Sequence, residues 1–244
     1  MSDYHFQTGS IPAGRADMAV DAGLRSFMLG IYNKMALGLA LTAGLAWVVG
    51  TTPALMAAIF SGPQAYLVMF GPLAILLVAS FVMRNPSPMS ANLVYWSVVA
   101  LIGVGMGALV SYYGRIDGGM VIVAKAFLVT SAAFGGLSLW GYTTKRDLTG
   151  FGTFLIMGLI GLIIASIVNL FIASSALSFA ISVIGVLVFA GLVAFDTQRL
   201  KFMYYQLGGD QRAMSVATTY GALSLYINFI NLFQFILSLL SPRN

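Results

Sequence analysis

The sequence contains no cysteine and one histidine, and only 8% of its 244 residues are Asp, Glu, Lys or Arg. Each scarcity excludes something. Without cysteine there is no disulfide and no thiolate chemistry. The histidine, His5, lies in the N-terminal tail, so a Ser–His arrangement inside an apolar domain is excluded. A charged fraction of 8%, against roughly 25% in a soluble domain, leaves too little polar surface to hold the chain in water. What is plentiful is the complement, 59% hydrophobic residues. The composition is that of a membrane protein.

Charge-free runs mark the spans. They cover 35–83, 85–114, 126–144, 148–195 and 213–242. A spanning helix takes about 20 apolar residues, so the two longest runs hold two spans each and the others one. The predicted spans are 29–50, 64–83, 91–113, 120–142, 151–172, 177–196 and 217–241. Turn residues divide the long runs at Thr51-Thr52-Pro53 with Ser61-Gly62-Pro63, and at Ser174-Ser175. Lipid offers the backbone no hydrogen bonds and barrel-type alternation is absent, so the expected class is an all-α integral membrane protein with seven transmembrane helices.

Residues 1–28 read as a retained cytoplasmic tail, because a cleaved signal peptide would place its apolar stretch nearer Met1. Residues 29–241 form the membrane domain and 242–244 a short C-terminal tail. With seven spans, one side receives Arg15, Arg25, Lys34, Arg84, Lys145, Arg146, Arg199, Lys201 and Arg212, nine of the twelve cations. The other receives Arg115, Lys125 and Arg243. The positive-inside rule puts the nine in the cytoplasm, hence the N-terminus inside and the C-terminus outside unless the last segment is re-entrant. The charge bias and the lack of a eukaryotic targeting signal point to a bacterial inner membrane. The net charge of +5 is scattered over helix ends and implies no nucleic-acid partner.

Several features carry less than they suggest. Gly103-Val104-Gly105-Met106-Gly107 lies inside a charge-free span with no strand before it, so it is no phosphate loop. Small residues four apart, Gly103/Gly107 and Gly161/Ala165, are instead expected to let helices approach closely. An intramembrane aspartyl protease needs two carboxylates sharing a proton. Asp196 is the only acid near a span terminus with a long apolar run before it. No lysine lies in the last span to hold a retinal. The protein is not expected to be an enzyme.

Two features remain. Asp196 either marks where the sixth span enters the cytoplasm, paired with Arg199 one turn later, or faces the bundle interior, as ionisable groups at membrane depth usually do. In the last span Tyr220, Ser224, Asn228, Asn231, Gln234 and Ser238 fall within an arc of roughly 120°. Such a stripe must face other helices or water, either as interhelical hydrogen bonding or as a polar permeation path.

Phe195-Asp196-Thr197-Gln198, followed by Leu223-Ser224-Leu225-Tyr226-Ile227-Asn228-Phe229-Ile230-Asn231-Leu232-Phe233, resembles the Bax inhibitor family. Tyr142-Thr143-Thr144-Lys145-Arg146-Asp147-Leu148 and Phe70-Gly71-Pro72 add to the likeness, which extends over about 25–240. The resemblance implies seven helices with the last enclosed by two layers of three. It also implies a pH-sensitive Ca²⁺ leak and, in some members, stress or cell-death control through membrane-protein partners. The family's sensor is a pair of aspartates with an arginine counter-ion. They correspond to Asp196, Asn228 and Arg84 here, and the asparagine is a departure.

Charge counting puts the ends of spans two and six on one side, so Arg84 and Asp196 are expected to meet as a latch at the cytoplasmic mouth. Two functions compete: a Ca²⁺ leak beside the last helix, or a non-conducting membrane protein that binds a protease or stress complex. Ca²⁺ takes six to eight oxygen ligands, several of them carboxylate, and this core offers Asp196 alone among neutral groups, which makes it a weak Ca²⁺ ligand. No cofactor is expected, with Ca²⁺ entering only as the permeant ion. The bilayer is the expected partner.

Overall fold

A computed structural model describes residues 13–83 and 85–241, with side chains from Ala22 onward. Eight helices follow one another: α1 (Ala13–Thr51), α2 (Pro53–Phe60), α3 (Gln64–Val82), α4 (Pro88–Tyr113), α5 (Gly119–Thr143), α6 (Thr149–Ile172), α7 (Ser175–Gln206) and α8 (Gln211–Leu240). There is no strand among the described residues. All but α2 are long and apolar enough to cross a membrane, giving the seven expected spans.

The breaks follow the turn chemistry. Pro53 opens α2 directly after Thr52, at the position where its missing N–H costs nothing. Before α4, Ser87 accepts from the Ser90 backbone N–H at 3.1 Å while Ser87 N–H donates to the Ser90 hydroxyl at 2.9 Å, a reciprocal cap. Ser174 caps α7 by accepting from Leu177 N–H. The turn into α8 uses Gly208 and Gly209 at φ 56° and 86°, and Asp210 then accepts from the N–H groups of Arg212 and Ala213.

Two boundaries differ from the hydropathy reading. Helix α1 starts at Ala13 rather than near 29, and Leu24, Phe27 and Met28 are already in the core. Helix α7 does not end at Asp196 but continues to Gln206, about 15 Å further at the helical rise. Arg199 and Lys201 interrupt the apolar run without interrupting the buried face. Val193, Leu200 and Tyr204 keep helical spacing, and the Tyr204 ring packs at a tilt against Phe27, centroids 5.7 Å apart. Helix α8 is unbroken over 30 residues, with none of the interruption a re-entrant hairpin requires.

Helix α8 is the axis of the bundle and the most enclosed span. On one side it packs against α1 and α4, with α3 outside α4; on the other it packs against α5 and α7, with α6 outside α7. The enclosure by two three-helix layers is therefore present. Lipid is as apolar as leucine, so burial alone does not hold such helices together; close packing and interhelical hydrogen bonds do. Helices α1 and α4 meet through glycines. A Cβ at Gly107 would lie 2.6 Å from a Val49 methyl and 3.3 Å from the Gly50 nitrogen, and one at Gly103 would lie 3.0 Å from the Thr42 Cα. Gly161, by contrast, has nothing within 4 Å of its Cβ position, so the expected role for the Gly161/Ala165 pair in close packing does not hold for Gly161 within this chain.

That contrast makes a stability prediction. Gly107→Ala is expected to lower stability by about 1–3 kcal/mol through overpacking. Gly161→Ala should be neutral or stabilising by up to about 1 kcal/mol, through helix propensity. Thermal unfolding in detergent checks both, and equal effects would refute the assignment.

Candidate functional site

Asp196 sits on α7 with 5% of its surface exposed, facing α8. Ser224 and Asn228 are four residues apart, so both project from one face of α8. They converge on the same carboxylate oxygen: the Ser224 hydroxyl donates to Oδ2 at 2.5 Å and the Asn228 amide at 2.8 Å. The other oxygen, Oδ1, pairs with Arg199 at 3.0 Å, one turn on along α7. Arg199 is half exposed, lies over the Phe195 ring at 5.8 Å and reaches Ser224 at 3.4 Å. Both carboxylate oxygens are thus bound, by a cation on the outer side and two neutral donors on the inner.

The two sequence readings of Asp196 are joined here. It pairs with Arg199, as a helix-exit residue would, and it also faces the bundle interior. Arg84, the expected latch, lies outside the described residues. Of the polar stripe, Ser224 and Asn228 reach Asp196. The other stripe residues do not contact it. Asn231 turns its amide onto the Ile227 carbonyl of its own helix at 2.8 Å. Gln234 is exposed and reaches the Met106 sulfur on α4 at 3.6 Å. Tyr220 is half-buried nearer the start of α8. Ser238 meets Ser182 of α7 at 2.9 Å.

Neighbours that sequence reasoning passed over complete the site. Thr197 shares a hydrogen bond with Ser138 of α5 at 2.9 Å, and Ser138 in turn with Tyr32 of α1 at 2.6 Å. Gln198 is buried and clasps the α5–α6 turn: its amide donates to the Arg146 carbonyl at 2.7 Å, and its carbonyl accepts from Leu148 N–H at 2.9 Å. Consecutive residues Asp196, Thr197 and Gln198 therefore bind three different elements. In the same turn Asp147 accepts from the Thr149 hydroxyl and N–H, which holds its carboxyl below the ordinary carboxylate range. On the far side of α8, the Lys34 ammonium donates to Asn92 at 2.5 Å and Thr219 at 2.7 Å, tying α1, α4 and α8 together.

These clusters sit toward one end of the bundle, where Arg25, Lys34, Lys145, Arg146, Arg199, Lys201 and Arg212 also gather through the alternation of the helices. Among the described residues no three His, Cys, Asp or Glu side chains come together as a metal site. Asp196 offers one carboxylate, and only the hydroxyl and amide oxygens beside it could add to a passing cation's shell.

Residues 24–244 match the family described as inhibitor of apoptosis-promoting Bax1. The chain belongs to the Bax inhibitor family. A Caulobacter vibrioides relative is 57% identical over 238 residues, covering 94% of this chain and 93% of that protein. A Rickettsia prowazekii relative is 39% identical over 243 residues, covering 100% and 99%. The Escherichia coli K12 protein named inner membrane protein YbhL is 39% identical over 236 residues, covering 94% and 97%. Like other Bax inhibitor proteins, this one is a multi-pass membrane protein. Its Phe195–Gln198 segment is the stretch that ties α7 to α8, α5 and the α5–α6 turn at once.

Proposed function

We propose that this Bax inhibitor protein is a cation leak, carrying Ca²⁺ along α8, with its inner mouth held shut by the Asp196 cluster. One observation carries the reading: a buried carboxylate bound by two side chains of the innermost span. Ionisable groups at membrane depth are expensive and commonly mark ion paths. The positive-inside rule supports taking the positive end of the bundle as the cytoplasmic end, with the N-terminus in the cytoplasm of a bacterial cell and the mouth at the inner face. A single carboxylate among neutral oxygens binds Ca²⁺ weakly and releases it fast, as a leak requires. Arg84 belongs to the proposal as a second cation at this mouth, beside Arg199.

The competing function is a non-conducting regulator of other membrane proteins. In its favour, every buried side-chain polar atom among the described residues has a hydrogen-bond partner, as in a solidly packed bundle. Purified full-length protein in liposomes holding a Ca²⁺ dye separates the two. A flux above that of protein-free vesicles is expected throughout the range of about pH 5 to pH 8. A folded protein that passes no Ca²⁺ anywhere in that range would leave the regulator. A reporter fused after Gly208 is expected to read cytoplasmic; an external reading would invert the orientation.

A further inference from the structure

A groove of about 760 Å³ opens sideways between α1 and α5, which belong to opposite layers. Met28 and Leu29 form one wall and Phe134 and Leu139 the other. From Arg25 to Tyr32 on α1 and from Tyr142 to Phe134 on α5 it runs about 10–12 Å at the helical rise. The Tyr32–Ser138 hydrogen bond at 2.6 Å joins the two helices across its inner side, so an occupant lies along the groove without entering the bundle.

The mouth is cationic. Arg25 is exposed there, and the Lys201 ammonium sits 3.0 Å from the Tyr142 carbonyl oxygen and 5.2 Å over the Tyr142 ring. No residue lining the groove is acidic. The Tyr32–Ser138 pair closes its floor, and its apolar walls face the space that lipid fills beside the spans. Its shape admits a hydrocarbon chain and its charge calls for an anion at one end. Basic pockets between spans on the cytoplasmic side are suited to anionic headgroups.

We propose that this groove binds one anionic phospholipid, with the headgroup phosphate at Arg25 and an acyl chain laid between α1 and α5. Gly135 lines the groove and has nothing within 4 Å of its Cβ position, so Gly135→Leu has room to start its side chain there and extends it into the slot. The adjacent Gly136 is equally open but does not line the groove, and Gly136→Leu is the matched control.

The test uses the full chain in neutral detergent, stripped of lipid and titrated with phosphatidylglycerol or phosphatidylcholine of identical chains. Native mass spectrometry reads retained lipid, and thermal unfolding reads stabilisation. One phosphatidylglycerol is expected to be retained in preference to phosphatidylcholine. Arg25→Gln should weaken its retention about fivefold, the value of one surface cation against an anionic headgroup. Gly135→Leu should abolish retention and Gly136→Leu leave it intact. Equal retention of the two lipids, or unchanged preference in Arg25→Gln, would overturn the site. Arg25→Gln removes only an exposed cation, so it decides the matter even if Gly135→Leu unfolds.

Discussion

In liposomes, Asp196→Asn is expected to raise the Ca²⁺ leak, because it removes the charge that Arg199, Ser224 and Asn228 all hold. Charge-assisted hydrogen bonds are roughly twice as strong as neutral ones, and the two from α8 lose that assistance together with the ion pair. The combined loss is about 1.5–3 kcal/mol, or roughly ten- to a hundredfold in the fraction open. Arg199→Ala should have a smaller effect, since the guanidinium is 47% exposed and screened by water. In the double variant the two should be less than additive, with a coupling of about 0.5–1 kcal/mol. The same cycle with Arg84→Ala asks which arginine is the latch: a coupling with Asp196 larger than that of Arg199 assigns the role to Arg84. Strict additivity in both cycles would remove the ion-pair latch altogether.

Asn228→Asp is the second large effect. It places a carboxylate where an amide nitrogen now lies 2.8 Å from Asp196 Oδ2. Two carboxylates that close share a proton, and the pair holds it toward neutral pH. Below that point the shared proton bridges α7 and α8. Above it two anions face each other with Arg199 as the described counter-charge. A carboxyl whose folded pKa is raised binds more protons folded than unfolded, so stability falls as pH rises from the ordinary carboxylate range through the raised value. A shift of one to two units corresponds to about 1.4–2.7 kcal/mol. The variant should therefore be less stable and leakier at neutral pH than in acid, and should bind divalent cations more tightly at the mouth. The native protein, with one carboxylate in the cluster, should show a flatter profile. Flux and unfolding temperature from about pH 5 to pH 8 decide it. A native protein that already switches steeply near neutrality, with Asn228→Asp leaving the curve in place, would sink this account of the cluster.

The spans were legible because hydropathy reads the solvent of each segment, and turn residues such as Ser174 and Pro53 mark where the chain changes direction. The ends were less legible. Arg199 and Lys201 signal an exit by composition, whereas Leu200 and Tyr204 continue the buried face by spacing, and spacing governs how far α7 runs. Asn228 stood out on the stripe, but its meeting with Asp196 came from the family likeness, since no local period links positions 32 apart. Lys34 with Thr219 and Tyr32 with Ser138 were invisible for the same reason. Gly107 and Gly161 look alike in sequence and differ only in whether a neighbouring helix is there.

Three successive side chains of α7, at 196, 197 and 198, are anchored to three separate bodies. A helix advances 100° per residue, so the anchors point in divergent directions and lock the shaft like a key in a splined bore. Turning α7 about its long axis, or sliding it by one residue, breaks all of them at once. These anchors join α7, α5 and the α5–α6 turn into one rigid unit. On the proposed leak, opening the mouth would part Ser224 and Asn228 from an Asp196 whose neighbours on α7 hold it in register.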